Sequence, residues 1–504
     1  MLRESHILLF SIFIAGLCSI VYELLIATTG AYFLGDSVMQ FSITIGVYMA
    51  FMGVGSYLSK WVTDNTLLTQ FIVYELMLAL IGGSSVPLLY FCYAQGWHFQ
   101  SMSVALTALI GIFVGLEIPL LSRLMEKHYT LKVNLANVLS IDYLGALIAT
   151  LVFPLALLPW LGVFKTSLLF GLINLSIALT LLWYFYAQFP PRQARLLRWL
   201  LVLVLLTLAG LMFFSKALNH HWNETVFEDR IVHSEQSRYQ QLIMTKHKED
   251  VRLYLNGGLQ FSAIDEYRYH ESLIHLPIQR QTATRNVLIL GGGDGLAARE
   301  LLKYPDIESI TLVDLDPAVA ELARSNFHLK QLNQNALHSP KVKVLNQDAF
   351  VYLTDTPDRY DLIVVDLPDP KTISLARLYS KQFYTLVKHR LNTQGIMVTQ
   401  ATSPYFAKQA FWSIHNTAAS VGFHSVTPYH VDVPSFGNWG FVMACKTACE
   451  LQHHALPDTR FYHPDIEPLL MTFPADMHNS RSKVSSLDQP HVLYYYLDGW
   501  KYWN

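Results

Sequence analysis

Through the first part of the chain, long apolar runs alternate with short polar breaks. Up to about residue 217, seven stretches stay apolar for roughly 20 residues or more, the length a helix needs to cross the hydrocarbon of a bilayer. They run from about His6 to Thr28, Ser37 to Ser59, Leu67 to Tyr93, Ser101 to Met125, Leu135 to Pro159, Lys165 to Phe189 and Leu197 to Ser215. One such run alone reads equally well as a buried core helix. Seven in succession predict a multi-pass α-helical membrane domain over residues 1–217, and hence a lipid bilayer as partner. The first run lacks a small-residue cleavage site, and Leu17 spoils a lipoprotein reading of Cys18, so it reads as a span rather than a signal peptide.

Beyond residue 217 the period shortens. RIVHSEQS, RYQQLIMTKH and VRLYLNGGLQFSA are short alternating runs, with a turn signal at Asn256-Gly257-Gly258. They predict a small β-strand subdomain over 218–280, ending in a helix from about Asp265 to His275 that Pro277 closes. From NVLILGGGDG onward, β-branched runs alternate with helical ones as far as GIMVTQAT. That alternation predicts a doubly wound, mostly parallel α/β sheet over 281–450. Residues 451–504 form a C-terminal extension. Its aromatic tail, from about Asn479 to Asn504, reads as packing on its own domain, with a membrane interface as the alternative.

Composition strengthens the division. The chain is 52% hydrophobic and only 15% charged, against about 25% charged in soluble globular chains. A net charge of -2 gives no basic balance for nucleic acid. Cys18 and Cys92 lie in apolar runs; Cys445 and Cys449 are spaced CxxxC, not CxxC, and no His/Cys partners complete a zinc set nearby, so neither a metal site nor a disulfide is expected. Lys and Arg collect in alternate loops: Arg3, Lys60, then Arg123, Lys127 and Lys132, then Arg192, Arg195 and Arg198. Read by the positive-inside rule, the N-terminus is cytoplasmic and, after seven spans, the C-terminal half lies on the other side. Four spans carry an acid each: Glu23, Glu75, Glu117 and Asp142. Such acids are costly in a bilayer and face a bundle interior; they read either as interhelical hydrogen bonding or as a site for a cation.

In a doubly wound sheet the ligand lies at the carboxyl ends of the strands. Those ends carry Gly291, Gly292, Gly293 and Asp294, then Asp314, Asp348 and Asp366. The glycine turn is GGGDG rather than GxGxxG, and Asp294 sits where a pyrophosphate would approach. A carboxylate there repels a dinucleotide and favours a cationic, sulfonium nucleoside. Asp314, about 20 residues further on, is placed for ribose hydroxyls. Asp348 is placed for an adenine amino group or, equally, for a helix N-cap.

GGGDG, VDLDP, DLPDP and DEYRYHESLIHLP together resemble the polyamine aminopropyltransferases, the spermidine synthases, over roughly Phe227 to Pro474. The apolar half resembles their membrane-bound multi-pass subclass in general character. The resemblance implies a Rossmann-like domain of the class I methyltransferase type. It also implies aminopropyl transfer from decarboxylated S-adenosylmethionine, as co-substrate, to putrescine, with no metal and no other cofactor. Gln240 and Asp294 would touch the nucleoside, Asp314 the ribose and Asp348 the adenine. Tyr269 and His270 would line the aminopropyl and amine pocket, and Asp366 would be the catalytic carboxylate. Asp369 would bind the distal ammonium, with Tyr379 near it and Trp439 at the far end. The donor's chemistry implies a cytoplasmic catalytic domain in the cell membrane, opposite to the loop charges; a homo-oligomer is compatible.

Three departures bear on substrate choice. Leu367 and Pro368 replace the family's hydroxyl residues, Asp314 stands for the usual Glu, and Asn256 replaces an Asp. Two other readings remain: transfer of another group or to another amine, and a transporter or sensor whose soluble domain only binds.

Overall fold

The computed structural model describes residues 4–35, 37–218, 222, 227, 229–452, 454–478 and 481–501. Arg3, Asn479 and Asn504, on which parts of the loop-charge and tail readings rest, lie outside the described residues. The chain divides into two compact units, Met1–Ile231 and Val232–Asn504. The break falls later than the change in composition near 217.

Leu-, Ala- and Ile-rich runs without interior charge pairs favour helix, which satisfies every backbone polar group internally where no water is available. The first unit accordingly holds α1 (Glu4–Leu34), α2 (Ser37–Leu58), α3 (Leu67–Ala94), α4 (Phe99–Met125), α5 (Leu131–Val152), α6 (Leu158–Tyr184) and α7 (Pro191–Phe213). By length and composition, six helical stretches are long and apolar enough to cross a membrane, among them the 54-residue stretch Leu131–Tyr184. That stretch is not one rod. A wider turn spans Phe153–Leu157, and Gly162 leaves the helical region at φ 68°. Asp142 of α5 abuts Gly16 of α1, while Tyr22 of α1 donates to the Phe170 carbonyl of α6 at 3.1 Å. Both halves therefore lie along the middle of α1, folded back on each other. Pro159 stands in the first turn of α6 rather than closing α5, since a missing N–H costs nothing there.

Small residues let these helices approach. A Cβ on Gly83 of α3 would lie 2.9 Å from the Gly171 Cα of α6, so a larger residue there would push the two helices apart. The outer surface is apolar: Trp160, Trp183, Trp199 and Phe213 are all exposed.

The second unit begins with a four-stranded sheet in the order β1 (Arg230–Gln236), β2 (Gln241–His247), β3 (Asp250–Leu255), β4 (Gly258–Ser262). A helix, α8 (Glu266–Ile278), leads into the main sheet. Pro277 lies inside the last turn of α8 rather than beyond it, and the helix stops one residue later. The main sheet has seven strands in the order β10-β11-β9-β8-β5-β6-β7. Here β5 is Asn286–Gly291, β6 Ser309–Asp314, β7 Val342–Asn346, β8 Tyr360–Asp366, β9 Leu391–Gln400, β10 Ser425–Val433 and β11 Gly437–Cys445. Strands β5 to β9 pair in parallel; β10 and β11 are antiparallel. Both faces are covered. One core gathers Ile289, Leu312, Val364 and Val398, the other Leu288, Val313, Ile363 and Met397, as alternation along buried parallel strands requires.

The extension packs on this unit. Val492 and Leu493 of the last helix, α17 (His491–Trp500), are buried with Phe411 and Trp412. Against expectation, Cys445 and Cys449 form a disulfide. Cys445 ends β11, and the chain turns back at once, bringing the two Cα atoms to 6.2 Å, within the normal span of such a bridge.

Candidate active site

Strand order reverses about β5: β6 lies on one side and β8 on the other, and the crevice opens at their carboxyl ends. Gly291 and Asp366 are register partners there. Gly291 has φ 85°, and a Cβ on it would lie 2.0 Å from the Asp366 carbonyl. Gly292 N donates to that carbonyl at 3.1 Å. Only glycine allows this approach.

The centre of the site is a hydrogen bond. Tyr269 of α8 donates from Oη to Asp366 Oδ1 at 2.6 Å. Burial raises the Asp366 carboxyl above the usual carboxylate range, against the opposing pull of His270 and of this hydrogen bond. His270 lies one residue on and bonds through Nδ1 to Glu266 Oε2 at 2.7 Å. Burial alone would depress the imidazole, but Glu266, with help from Asp294 and Asp366, holds it up at about 9. Arg299 fixes Glu266 in turn, donating to both carboxylate oxygens at 2.8 and 3.0 Å. A fixed imidazolium thus faces the carboxylates of the crevice.

The glycine turn and the neighbouring strand ends add backbone donors and further acids. Asp314 accepts from Gly293 N at 3.1 Å and Asp316 N at 2.9 Å. Burial raises it to about 6 in spite of those bonds. Asp294 accepts from Leu296 N at 2.9 Å and is likewise raised to about 6 by burial, with His270 opposing. Gln240, in the turn before β2, donates to Asp316 Oδ2 at 3.0 Å, which brings it beside Asp314. Asp348 caps the helix Ala349–Asp355, accepting from Phe350 N at 2.9 Å, and its second oxygen pairs with Arg377. Both of its oxygens are engaged.

The loop after β8 carries a second acid, Asp369. Gln400, at the end of β9, donates to its Oδ1 at 3.3 Å and Thr402 to its Oδ2 at 3.4 Å. Tyr496 of α17 hydrogen-bonds the same carboxyl. Burial raises Asp369 to about 6 against these donors and the nearby Lys371. Thr402 has φ 57°, a conformation that costs energy in a threonine. Tyr379 is fully buried and donates to the carbonyls of Leu367 and Pro368, both 3.0 Å away, so it sets the loop from behind. Trp439 stands further off, behind Phe436, at a ring separation of 5.1 Å; Phe436 lies 6.3 Å from Tyr269. The Trp439 indole N–H is buried without a hydrogen-bond partner.

A scan against known domain families matches residues 266–454 to the spermine/spermidine synthase domain. A protein of Leptospira interrogans named polyamine aminopropyltransferase is 41% identical over 97% of this chain and 98% of its own length. One of the same name from Oceanobacillus iheyensis is 42% identical over 99% of this chain and 98% of its own. The chain belongs to the polyamine aminopropyltransferase family. The family likeness runs through both units, so the helical unit is shared with these aminopropyltransferases. Among solved structures, a spermidine synthase in complex with the transition-state analogue AdoDATO aligns at 24% identity and TM-score 0.44 over 49% of this chain and 86% of its own.

Four residues of this aminopropyltransferase site were missed from sequence. Glu266 had a signal, an acid at helical spacing from His270. Gln400, Thr402 and Tyr496 had none, because only the folded β9 end and α17 bring them to Asp369.

Proposed function

We propose that the crevice moves the aminopropyl group of decarboxylated S-adenosylmethionine onto putrescine, giving spermidine and methylthioadenosine. The observation that carries this reading is the Tyr269–Asp366 pair at the switch point, with Asp369 one loop turn beyond it. In this reading Asp314 takes the ribose hydroxyls through lone pairs left free by Gly293 and Asp316. Gln240 and Asp294 border the nucleoside, and Asp348 borders the adenine. Asp369 takes the distal ammonium of the diamine, and Trp439 lines the far end.

The reaction is a displacement. A primary ammonium has pKa near ~10.4 and is mostly protonated at neutral pH. Asp366, whose carboxyl burial raises above its ordinary value, takes one proton and leaves a lone pair on the amine. That nitrogen bonds the propyl carbon beside the sulfonium as the carbon–sulfur bond breaks. The electron pair goes to sulfur, giving neutral methylthioadenosine, and the product nitrogen carries the positive charge. Tyr269 orients the carboxylate, and the acids bordering the nucleoside tolerate the cationic donor. Holding amine, carbon and sulfur in line supplies much of the rate.

The helical unit, in the same proposal, spans the cell membrane. Its support is the apolar outer surface and the membrane-length helices. The catalytic unit is assigned to the cytoplasm, where the donor nucleoside is made.

The test is a transfer assay on the detergent-solubilised chain with decarboxylated S-adenosylmethionine and a panel of amines. Equal amounts of methylthioadenosine and spermidine, made fastest from putrescine, are expected. Nucleoside binding without product from any amine would contradict the proposal.

A further inference from the structure

The helical unit carries buried acids that aminopropyl transfer does not use. Glu75 of α3 and Glu117 of α4 are 1% and 4% exposed, and their carboxyls are within hydrogen-bond reach of each other. Asn174 of α6 donates to Glu75 Oε2 at 3.0 Å and to the Glu75 carbonyl at 3.2 Å. Three buried acceptors then have no hydrogen-bond partner: Glu75 Oε1, Glu117 Oε1 and Asn174 Oδ1. They come from three different helices, and Asn174 and Glu117 each meet Glu75. Among the described residues the ion pairs of this unit are Arg123–Asp64 and His128–Glu4, so no described cation answers the two acids.

Orphaned acceptors in a dry interior are costly, and orphaned carboxylates more so. A ligand with positive charge and several donors answers these groups in place of the proton that the two hydrogen-bonded carboxyls otherwise share. A primary ammonium has three N–H donors and no acceptor, one for each of the three oxygens. A metal ion fits less well: among the described residues no group of three or more His, Cys, Asp or Glu is arranged to hold one. Tyr22 and Tyr48 are buried alongside and within electrostatic range of the acids. Their hydroxyls are spent on the Phe170 and Ser19 carbonyls, leaving ring surface for methylenes or a cation. Asp142 lies within electrostatic range of Glu117, and Glu23 within range of Tyr48, so a second charge on the ligand would also be answered.

We propose that the helical unit holds a polyamine site of its own, with one primary ammonium seated on Glu75, Glu117 and Asn174. It lies wholly within Met1–Ile231, whereas the transfer site lies wholly within Val232–Asn504.

The test is equilibrium dialysis of radiolabelled spermidine with the full chain in lipid nanodiscs, in an Asp369→Asn background that weakens the transfer site. One saturable site per chain is expected. Adding Glu117→Gln or Asn174→Leu should weaken it tenfold or more, while an unchanged helical circular-dichroism melt reports that the helical unit is folded. A second measurement needs no change in the membrane unit: a hydrophobic carbodiimide should modify Glu75 or Glu117, and spermidine should protect them where sodium chloride of equal ionic strength does not. No spermidine bound in the Asp369→Asn chain overturns the proposal, as does undiminished binding after Glu117→Gln. Protection by sodium as strong as by spermidine, which would mark an inorganic cation site, or no protection by either, overturns it equally.

Discussion

Asp366 owes its chemistry to burial and two neighbours. Burial pushes its carboxyl up, whereas the Tyr269 hydroxyl and the His270 imidazolium hold it down. The imidazolium exists because Glu266 sits one helical turn before it, pinned by Arg299. The free crevice therefore has an acid limb. Asp294, Asp314 and Asp369 each stand near 6, and each is needed as an anion, so kcat/KM should fall as pH drops through about 6. The acceptor's own ammonium titrates near ~10.4 and gives a separate limb. Glu266→Gln removes the charge that keeps His270 protonated, so at pH 7 the imidazole becomes neutral. Asp366 and Asp294 then lose their cation and their pKa values rise. The acid limb should move up by about one unit, the low end for an opposite charge at close range. A limb that stays in place would mean that the His270 charge does not act on the carboxylates.

At the scale of elements, strands and their ends were the most legible part of the site. Buried β-branched runs place Gly291, Asp314 and Asp366 at carboxyl ends, and the parallel order of β5, β6 and β8 brings those ends together. The helical unit was legible for the same reason: apolar length is a property of the local run. Contacts made by elements distant in sequence were not. Nor was the local turn after β11 that brings Cys449 back to Cys445, four residues before it. Nothing in VLYYYLDGW distinguishes Tyr496 from its neighbours, yet α17 presents it to Asp369. This helix is therefore part of the amine site and not merely a cover. Tyr496→Phe removes one of three donors and leaves Gln400 and Thr402, a loss of about 1 kcal/mol. KM for putrescine should rise roughly fivefold with kcat kept, as steady-state kinetics would show; a kcat loss at unchanged KM would place Tyr496 elsewhere in the cycle.

For the whole molecule, the signals about sidedness oppose one another. Read by the positive-inside rule, the loop lysines and arginines favour a second unit outside the cytoplasm, and a disulfide agrees with that reading. The donor nucleoside belongs inside. The transfer proposal requires the inside, so a reporter fused to the C-terminus should be active only as a cytoplasmic fusion, and activity on the other face would detach the catalytic unit from its donor. The measurement that tests the account most directly is turnover by the full chain carrying Asp366→Asn, beside Asp369→Asn, at saturating donor. Proton transfer by a positioned group contributes about 10²–10⁴-fold. Asp366→Asn should therefore lose kcat on that order and still bind methylthioadenosine, whereas Asp369→Asn should mainly raise KM for putrescine. Turnover by Asp366→Asn at the unaltered enzyme's rate would contradict the central claim that this carboxylate activates the amine.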